Sequence, residues 1–444
     1  MTSPKLNSLL PLLLATGLLC WVAVYNGYPL VYPDTGGYLN WWGTSYRSFF
    51  YNLFLAPALL THTLWPEVVL QSLIVAHLLG LVLRVVFGLD RPLDLLWVVL
   101  PLCLLSNAAW FTGFIMPDIF TGVLVLALFL QFFCLPQLGA GEKVWLFVLT
   151  VVAIAVHFSH PPVALSLLLA GGLLKLASRR HTFFSPPALR RGTVALAVAL
   201  VLLLANSYLK YGVLTMSPGG YAFPLARLVA DGPAVRYLRE HCPGKKYALC
   251  DYLDQLPANS DAFLWTSESP FRKVGWIDGY REEGREIVVG TILHYPLQVG
   301  KLVLRDTWRQ LFMFNNYYGI VSYRDLPHPT KDIKARFPGE FTAYSDSRQN
   351  QSTLGLTWFN CLHWSVIKLC LPLGVAVWLA YLRRRRILPV LFLVAFAVAY
   401  SLHAFIVAAI SGPHNRYGSR LIWLLPFFCL AAIWQMVSAH RRQA

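Results

Sequence analysis

Apolar residues in this chain run in long blocks. About ten stretches approach the roughly 20 consecutive apolar residues that a helix needs to cross a bilayer core. They lie near 8–31, 66–87, 94–113, 118–136, 144–159, 162–178, 192–210, 359–382, 387–410 and 419–438. The stretch after Lys5 has no small-x-small cleavage site behind it, so it reads as an uncleaved first span. The two short stretches either side of His160-Pro161-Pro162 read as two spans or as one broken helix pair. The pattern predicts an all-α polytopic membrane protein of about ten transmembrane helices with an extracytoplasmic α or α+β segment. It divides the chain into a transmembrane module over 1–210, a polar segment over 211–358, and closing transmembrane helices over 359–444.

Composition agrees with this pattern. Of 444 residues, 57% are hydrophobic and 13% charged, against about 45–50% and about 25% in ordinary soluble domains. A disordered chain and a conventional cytosolic enzyme are thereby excluded. The formal charge of +16 would point to nucleic acid on a soluble domain. Sorted by side of the membrane, with a cytoplasmic N-terminus, it has another origin. Lys5, Arg84, Arg91, Lys143, Lys175, Arg179, Arg180, Arg190, Arg191, Arg383 to Arg386, Arg441 and Arg442 fall inside. Those 15 basic residues face three acids (Asp90, Asp94, Glu142), leaving 22 basic and 18 acidic residues outside. Most of the excess charge is then the positive-inside signal of short cytoplasmic loops. Nucleic acid is not needed as a partner.

The inner loops are too short for an active site, so any chemistry is expected on the extracytoplasmic side. Three segments lie there: 32–65, 211–358 and 411–418. In the first, YPDTGGYLNWW, Asp34 follows a proline where one element ends and another begins. It is either the N-cap of a short helix or a carboxylate held at the membrane surface as a general base. Arg47 follows within an aromatic belt of Trp41, Trp42, Tyr46, Phe49, Phe50 and Tyr51. Asp118, in FIMPDIFTG, repeats the Pro-Asp pattern. Ionisable groups at membrane depth are costly and point to function, with helix capping the bland alternative. His157 and His160 are three residues apart and share a helical face. A polar or phosphate-facing role, a metal role completed by the aspartates, and plain packing are all open for them.

Within 211–358, helices are expected from near Phe223 and around Val235 to His241, and an amphipathic helix from Val299 to Phe314. That last helix carries Lys301, Arg305 and Arg309 on one stripe and Leu304, Trp308, Leu311 and Phe312 on another, a pattern suited to the membrane interface. A solvated charged face is the alternative. Cys242 and Cys250, in HCPGKKYALC, are either a disulfide of an oxidising compartment or two free thiols. The last outer loop, SGPHNRYGSRLIWLLPFF, gathers His414, Arg416, Tyr417 and Arg420. Arginine there runs against the positive-inside bias and suits phosphate, while snorkelling at a helix end is the alternative.

In their order, these elements resemble the GT-C superfamily of membrane glycosyltransferases, which use polyprenyl-phosphate-linked sugars. Protein mannosyltransferases and the aminoarabinose transferases of lipid A are familiar members. PDTGGYLNWW followed by YRSFFYNLFLAP is similar to the family's first outer loop. VVLQSLIVAHLLGLVLRVV resembles its second span, and FIMPDIFTGVLVLALFL a later span that opens with an acid. ILHYPLQVGKLVLRDTWRQLFMF resembles its outer juxtamembrane helix, and NRYGSRLIWLLPFF the Arg-Tyr and Pro pattern before a closing span. The likeness covers roughly 1–210 and, more weakly, the C-terminal end. Two departures stand out: Asp34 is followed by Thr35 where an acid pair is common, and His157 and His160 stand where an Arg is frequent.

The resemblance implies an inverting glycosyltransferase that moves a sugar from a polyprenyl-phosphate donor to an extracytoplasmic lipid, glycan or protein. Asp34 would be the general base, and Asp118 would orient acceptor or base. Arg416, Arg420, His160 and Arg47 would bind the donor phosphate. It also implies an integral plasma membrane protein of the bacterial inner-membrane kind, with both termini cytoplasmic and membrane lipids as surroundings. No cofactor is expected, no nucleotide-binding glycine fingerprint is present, and a divalent metal is not indicated. Two other classes compete. A flippase or transporter of a lipid-linked glycan would show internal repeats and mid-span charges; no convincing repeat is present and the span interiors are nearly free of charge, which counts against it. The other is a non-catalytic membrane scaffold.

Overall fold

The structure, a computed structural model, describes residues 6–40, 42–177, 186–315 and 319–440. Lys5, Trp41, Arg179, Arg180, Arg441 and Arg442, used in the sequence reading, lie outside them. The described residues are helical, and their one β-bridge joins Leu30 to Phe114 in parallel. Every apolar stretch contains helix among the described residues. Five helices are long and apolar enough to cross a membrane: Trp65–Phe87, Leu189–Tyr211, Leu356–Arg383, Ile387–Ile410 and Asn415–His440. Leu9–Leu19, Asp94–Leu105, Ile119–Phe133 and His160–Leu176 are shorter apolar helices. This is the architecture of a helical membrane protein. The shorter helices fall below span length for identifiable reasons. The first stretch is divided into Leu6–Leu19 and Trp21–Asn26, and the third stops at Ser106, in extended conformation, before Ala108–Gly113.

Burial separates a lipid-type face from a packed interior. Helix Ile119–Phe133 is buried on every side, from Ile119 through Phe132, as expected of a helix at the centre of a bundle. On Leu356–Arg383, by contrast, Leu369, Leu371, Val375 and Leu379 are exposed. Contiguous exposed apolar surface of this kind marks a face meant for something other than water.

Within 211–358, residues 221–288 have a core of their own, including Leu225, Leu238, Phe263, Phe271 and Ile287, whereas Ile320, Tyr323, Ile333, Phe337, Tyr344 and Leu354 belong to the main bundle core. The expected helices are present as Ala222–Ala230 and Pro233–His241. Cys242 and Cys250 are joined as a disulfide. The amphipathic helix is Pro296–Leu311, set at 97° to the preceding Arg281–His294. It packs along Ile387–Ile410 by a polar face: Asp306 meets Arg227 at 3.3 Å, and Arg227 donates to the Ala409 carbonyl at 3.0 Å. Leu297, Leu304, Trp308 and Phe312 are left exposed. The buried pair links this helix to Ala222–Ala230, and Arg227 carries the link on to the bundle.

Candidate active site

Two chain segments far apart in sequence are laced together to make the site. Leu30 donates to the Gly113 carbonyl and Ile115 donates back to Leu30, both at 2.9 Å. The two Pro-Asp elements that follow are thereby held side by side. Thr35, whose hydroxyl donates to the Ile115 carbonyl at 3.1 Å and accepts from the Tyr32 N–H, secures the same junction. A third segment is brought in by Gln310, which accepts from the His414 N–H at 2.7 Å and donates to its carbonyl at 3.0 Å. Asn107 donates to the Ser419 carbonyl at 2.7 Å. Helix Asn415–Ile422 then lies over both aspartates.

Neither aspartate caps its helix. Asp34 and Asp118 precede helices Thr35–Leu39 and Ile119–Phe133, yet neither side chain bonds the N-terminal amides. Both carboxylates turn to arginine instead. Arg47 donates to Asp34 Oδ1 at 2.5 Å, and Arg416 reaches Asp34 Oδ2 with both terminal nitrogens at 3.2 Å. The Arg416 Nε lies 3.1 Å from Asp118 Oδ1, and Arg420 Nε donates to the same oxygen at 2.6 Å. The result is one unbroken chain of alternating charge: Arg47, Asp34, Arg416, Asp118, Arg420. Three cations face two anions, so the cluster has one positive charge in excess. Sequence reading named all five residues but had no means of linking them.

Burial sharpens that imbalance. The Arg420 side chain is 1% exposed and Asp118 2%, whereas Asp34 retains 21%. Both terminal nitrogens of Arg420 and Oδ2 of Asp118 meet no partner among the described residues. Buried donors left unpaired are expensive, about 1–3 kcal/mol each and more for charged groups. Their presence in a cluster points to a ligand that supplies acceptors. Burial by itself would raise the Asp34 carboxyl, but Arg47 and Arg416 outweigh it and hold it below the usual carboxylate range. Asp34 is thus ionised, and it is the more exposed of the two carboxylates.

Aromatic rings frame the arginines. Arg416 lies 4.3 Å from the Tyr32 ring centre, Arg420 4.8 Å from Tyr417, and Arg47 5.4 and 5.1 Å from Tyr38 and Tyr46. Cation–π contact holds guanidiniums in place without consuming their N–H donors. Tyr32 and Tyr38 were not singled out in the sequence. Glu67 was missed as well. It is fully buried in the first turn of Trp65–Phe87, with neither carboxylate oxygen bonded among the described residues. An acid in a first turn is unremarkable in sequence, so its burial was not foreseeable.

His160 does not fit the phosphate-binding role expected of it. Its Nδ1 bonds the Ala153 carbonyl at 2.6 Å and its Nε2 the Thr121 hydroxyl at 2.9 Å. With both nitrogens engaged inside the protein, it locks three helices together. His157, in the turn before it, lies within electrostatic reach of Arg420, Arg416 and Arg47, and its Nδ1 pairs with the Ser159 hydroxyl at 2.8 Å. Among the described residues no group of three or more His, Cys, Asp or Glu side chains is arranged to hold a metal ion.

Comparison with known proteins adds no constraint: no family model, no curated protein and no solved structure matches the chain. A carboxylate with solvent access, set beside arginines with unused donors, can accept a proton on one side and hold an anion on the other.

Proposed function

We propose that the protein is a membrane glycosyltransferase that uses a polyprenyl-phosphate sugar donor and an acceptor on the extracytoplasmic side. The observation that carries this reading is the juxtaposition of Asp34 with three arginines whose donors exceed the carboxylates available to them. In the proposed reaction the acceptor hydroxyl gives its proton to Asp34. The acceptor oxygen bonds the anomeric carbon from the face opposite the phosphate. The bond from that carbon to the phosphate oxygen breaks, and its electron pair leaves on the phosphate. Configuration inverts. Arg416 and Arg420 stabilise the charge that builds on the leaving group, as preorganised donors do in a water-poor site. Arg47 keeps its place on Asp34, and Asp118 orients Arg420 and Arg416.

A site at the end of an apolar bundle suits a donor whose polyprenyl tail stays in the bilayer while its phosphate reaches the surface. The test is transfer by the purified protein in detergent, from a short-chain polyprenyl-phosphate sugar, read as release of polyprenyl phosphate. Turnover without a sealed bilayer is the expected result and excludes transport as the activity. Asp34→Asn should abolish it, and full transfer by that variant would remove the base assignment.

A further inference from the structure

We propose that Asp34 is held out of action by its own arginines in the resting site, and that the donor phosphate frees it by taking Arg416. This rests on the donor reading above and goes beyond it by making the base depend on donor occupancy.

Arg416 is the shared link of the cluster and its loosest one. Its contacts to Asp34 and Asp118 measure 3.2 and 3.1 Å, whereas charge-assisted N–H···O bonds settle near 2.7–2.9 Å. Arg47 on Asp34 and Arg420 on Asp118, at 2.5 and 2.6 Å, are the close pairs. Arg416 is therefore divided between two carboxylates and well seated on neither. A phosphate offers oxygens spaced for the guanidinium fork, and the unpaired terminal nitrogens of Arg420 form the other half of such a cradle. Occupancy by one singly charged phosphodiester would also cancel the surplus positive charge of the cluster.

The consequence for Asp34 follows from electrostatics. A carboxylate gripped by two guanidiniums is a poor proton acceptor, and its carboxyl is held low. Losing Arg416 and gaining an anionic neighbour both raise its proton affinity. The base then strengthens once the donor is in place. After transfer, Asp34 carries the proton taken from the acceptor, and Arg416 stays with the departing phosphate. When the product leaves and Arg416 returns, the proton is expelled through the exposed edge of the carboxyl.

Other titratable and charged groups face Asp34 from every side. Arg47 and Tyr46 come from the first loop, Tyr32 and Tyr38 from its own segment, and Asp118 and Arg416 from the two neighbouring segments. Tyr323 approaches from 319–326. Asp332 of Pro327–Arg336 lies against Gly36, and His157 lies near the arginines. A proton-linked test must therefore isolate Asp34 by substitution.

The experiment titrates the purified full chain with a short-chain prenyl methyl phosphodiester, which carries one charge and does not itself titrate. Calorimetry at about pH 5, just above the ordinary carboxylate range, in two buffers of different ionisation enthalpy gives both affinity and proton uptake. Wild type should take up a proton on binding. Asp34→Asn should bind more tightly, by about 5- to 150-fold, the usual span of coupling between two sites, and its proton uptake should vanish. Weaker or unchanged binding by Asp34→Asn would overturn the proposal, because Asp34 would then merely brace the arginines. So would wild-type binding without proton uptake, a readout that does not depend on the variant folding. In both cases probe binding survives, and with it the donor reading. If inorganic phosphate binds with proton uptake and the prenyl probe does not, the release stands and the lipid donor is wrong. If neither binds, both readings fall.

Discussion

At the scale of single residues, the cluster behaves as a unit in which no member is independent. Asp118 is the closest partner of Arg420, and both are nearly inaccessible to solvent. Removing one charge of a buried pair costs about 3–5 kcal/mol because the other is stranded. Asp118→Asn should therefore lower stability sharply, while Asp118→Asn with Arg420→Met should cost less than the two single changes added together. Thermal unfolding in detergent of all four forms of this cycle measures it. Asp34 gives a different signature. Its folded carboxyl lies below the unfolded value of about 3.9, so its ion pairs contribute fully above that pH. The contribution fades as pH falls through the folded value. Melting temperature against pH should be flatter below about pH 4 for Asp34→Asn than for wild type. An unchanged acid limb would mean that the arginines do not hold the folded carboxylate.

At the scale of elements, two glycines decide whether helices can come close enough to build the site. A Cβ on Gly37 would sit 2.8 Å from Arg47 Nε and 2.9 Å from its Cδ. The glycine in TGGYL therefore makes room for the arginine on Asp34. A Cβ on Gly418 would lie 2.2 Å from the Met313 carbonyl oxygen, which is backbone and cannot swing aside. The two substitutions should separate function from stability. Gly37→Ala is expected to displace Arg47 and cut transfer by about 100-fold, as misplacements near 1 Å do, with little change in melting temperature. Gly418→Ala should lower both, since it moves the helix that carries Arg416 and Arg420. Equal effects of the two on melting temperature would count against this assignment.

At the scale of the whole molecule, the distribution of charge predicts which end faces which compartment. Single cysteines placed at Ser352 and at Arg385, in a variant whose free thiols are removed, should react differently with a membrane-impermeant maleimide. The first should label on intact cells and the second only after permeabilisation; the reverse would invert the topology and move the proposed site to the cytoplasm. The Cys242–Cys250 disulfide closes a short loop in the segment with its own core. Replacing both residues by serine should cost about 2–3 kcal/mol by loop-closure entropy, measured as loss of protease resistance in 211–358. That segment is tied to the bundle through Arg227, which donates to the Ala409 carbonyl. A lesion in the loop should therefore leave the membrane helices folded.

The block pattern of apolar residues determined the helices, and the sorting of basic residues gave an expected orientation, because solvation acts on each segment separately and leaves its mark in local composition. Chemical type likewise marked Asp34, Asp118, Arg47, Arg416 and Arg420, since charges near a bilayer are costly enough to stand out. Tertiary structure decided how they pair. The bridge from Leu30 to Phe114, the Gln310 clamp on His414 and the room left by Gly37 and Gly418 join positions up to 105 residues apart. Nothing in local composition encodes such contacts. The same dependence explains why His160 read as a ligand and is an internal strut, and why Asp306 of Pro296–Leu311 turned inward onto Arg227. A side chain's role is set by the partner that desolvates it, and that partner is chosen only when the chain folds.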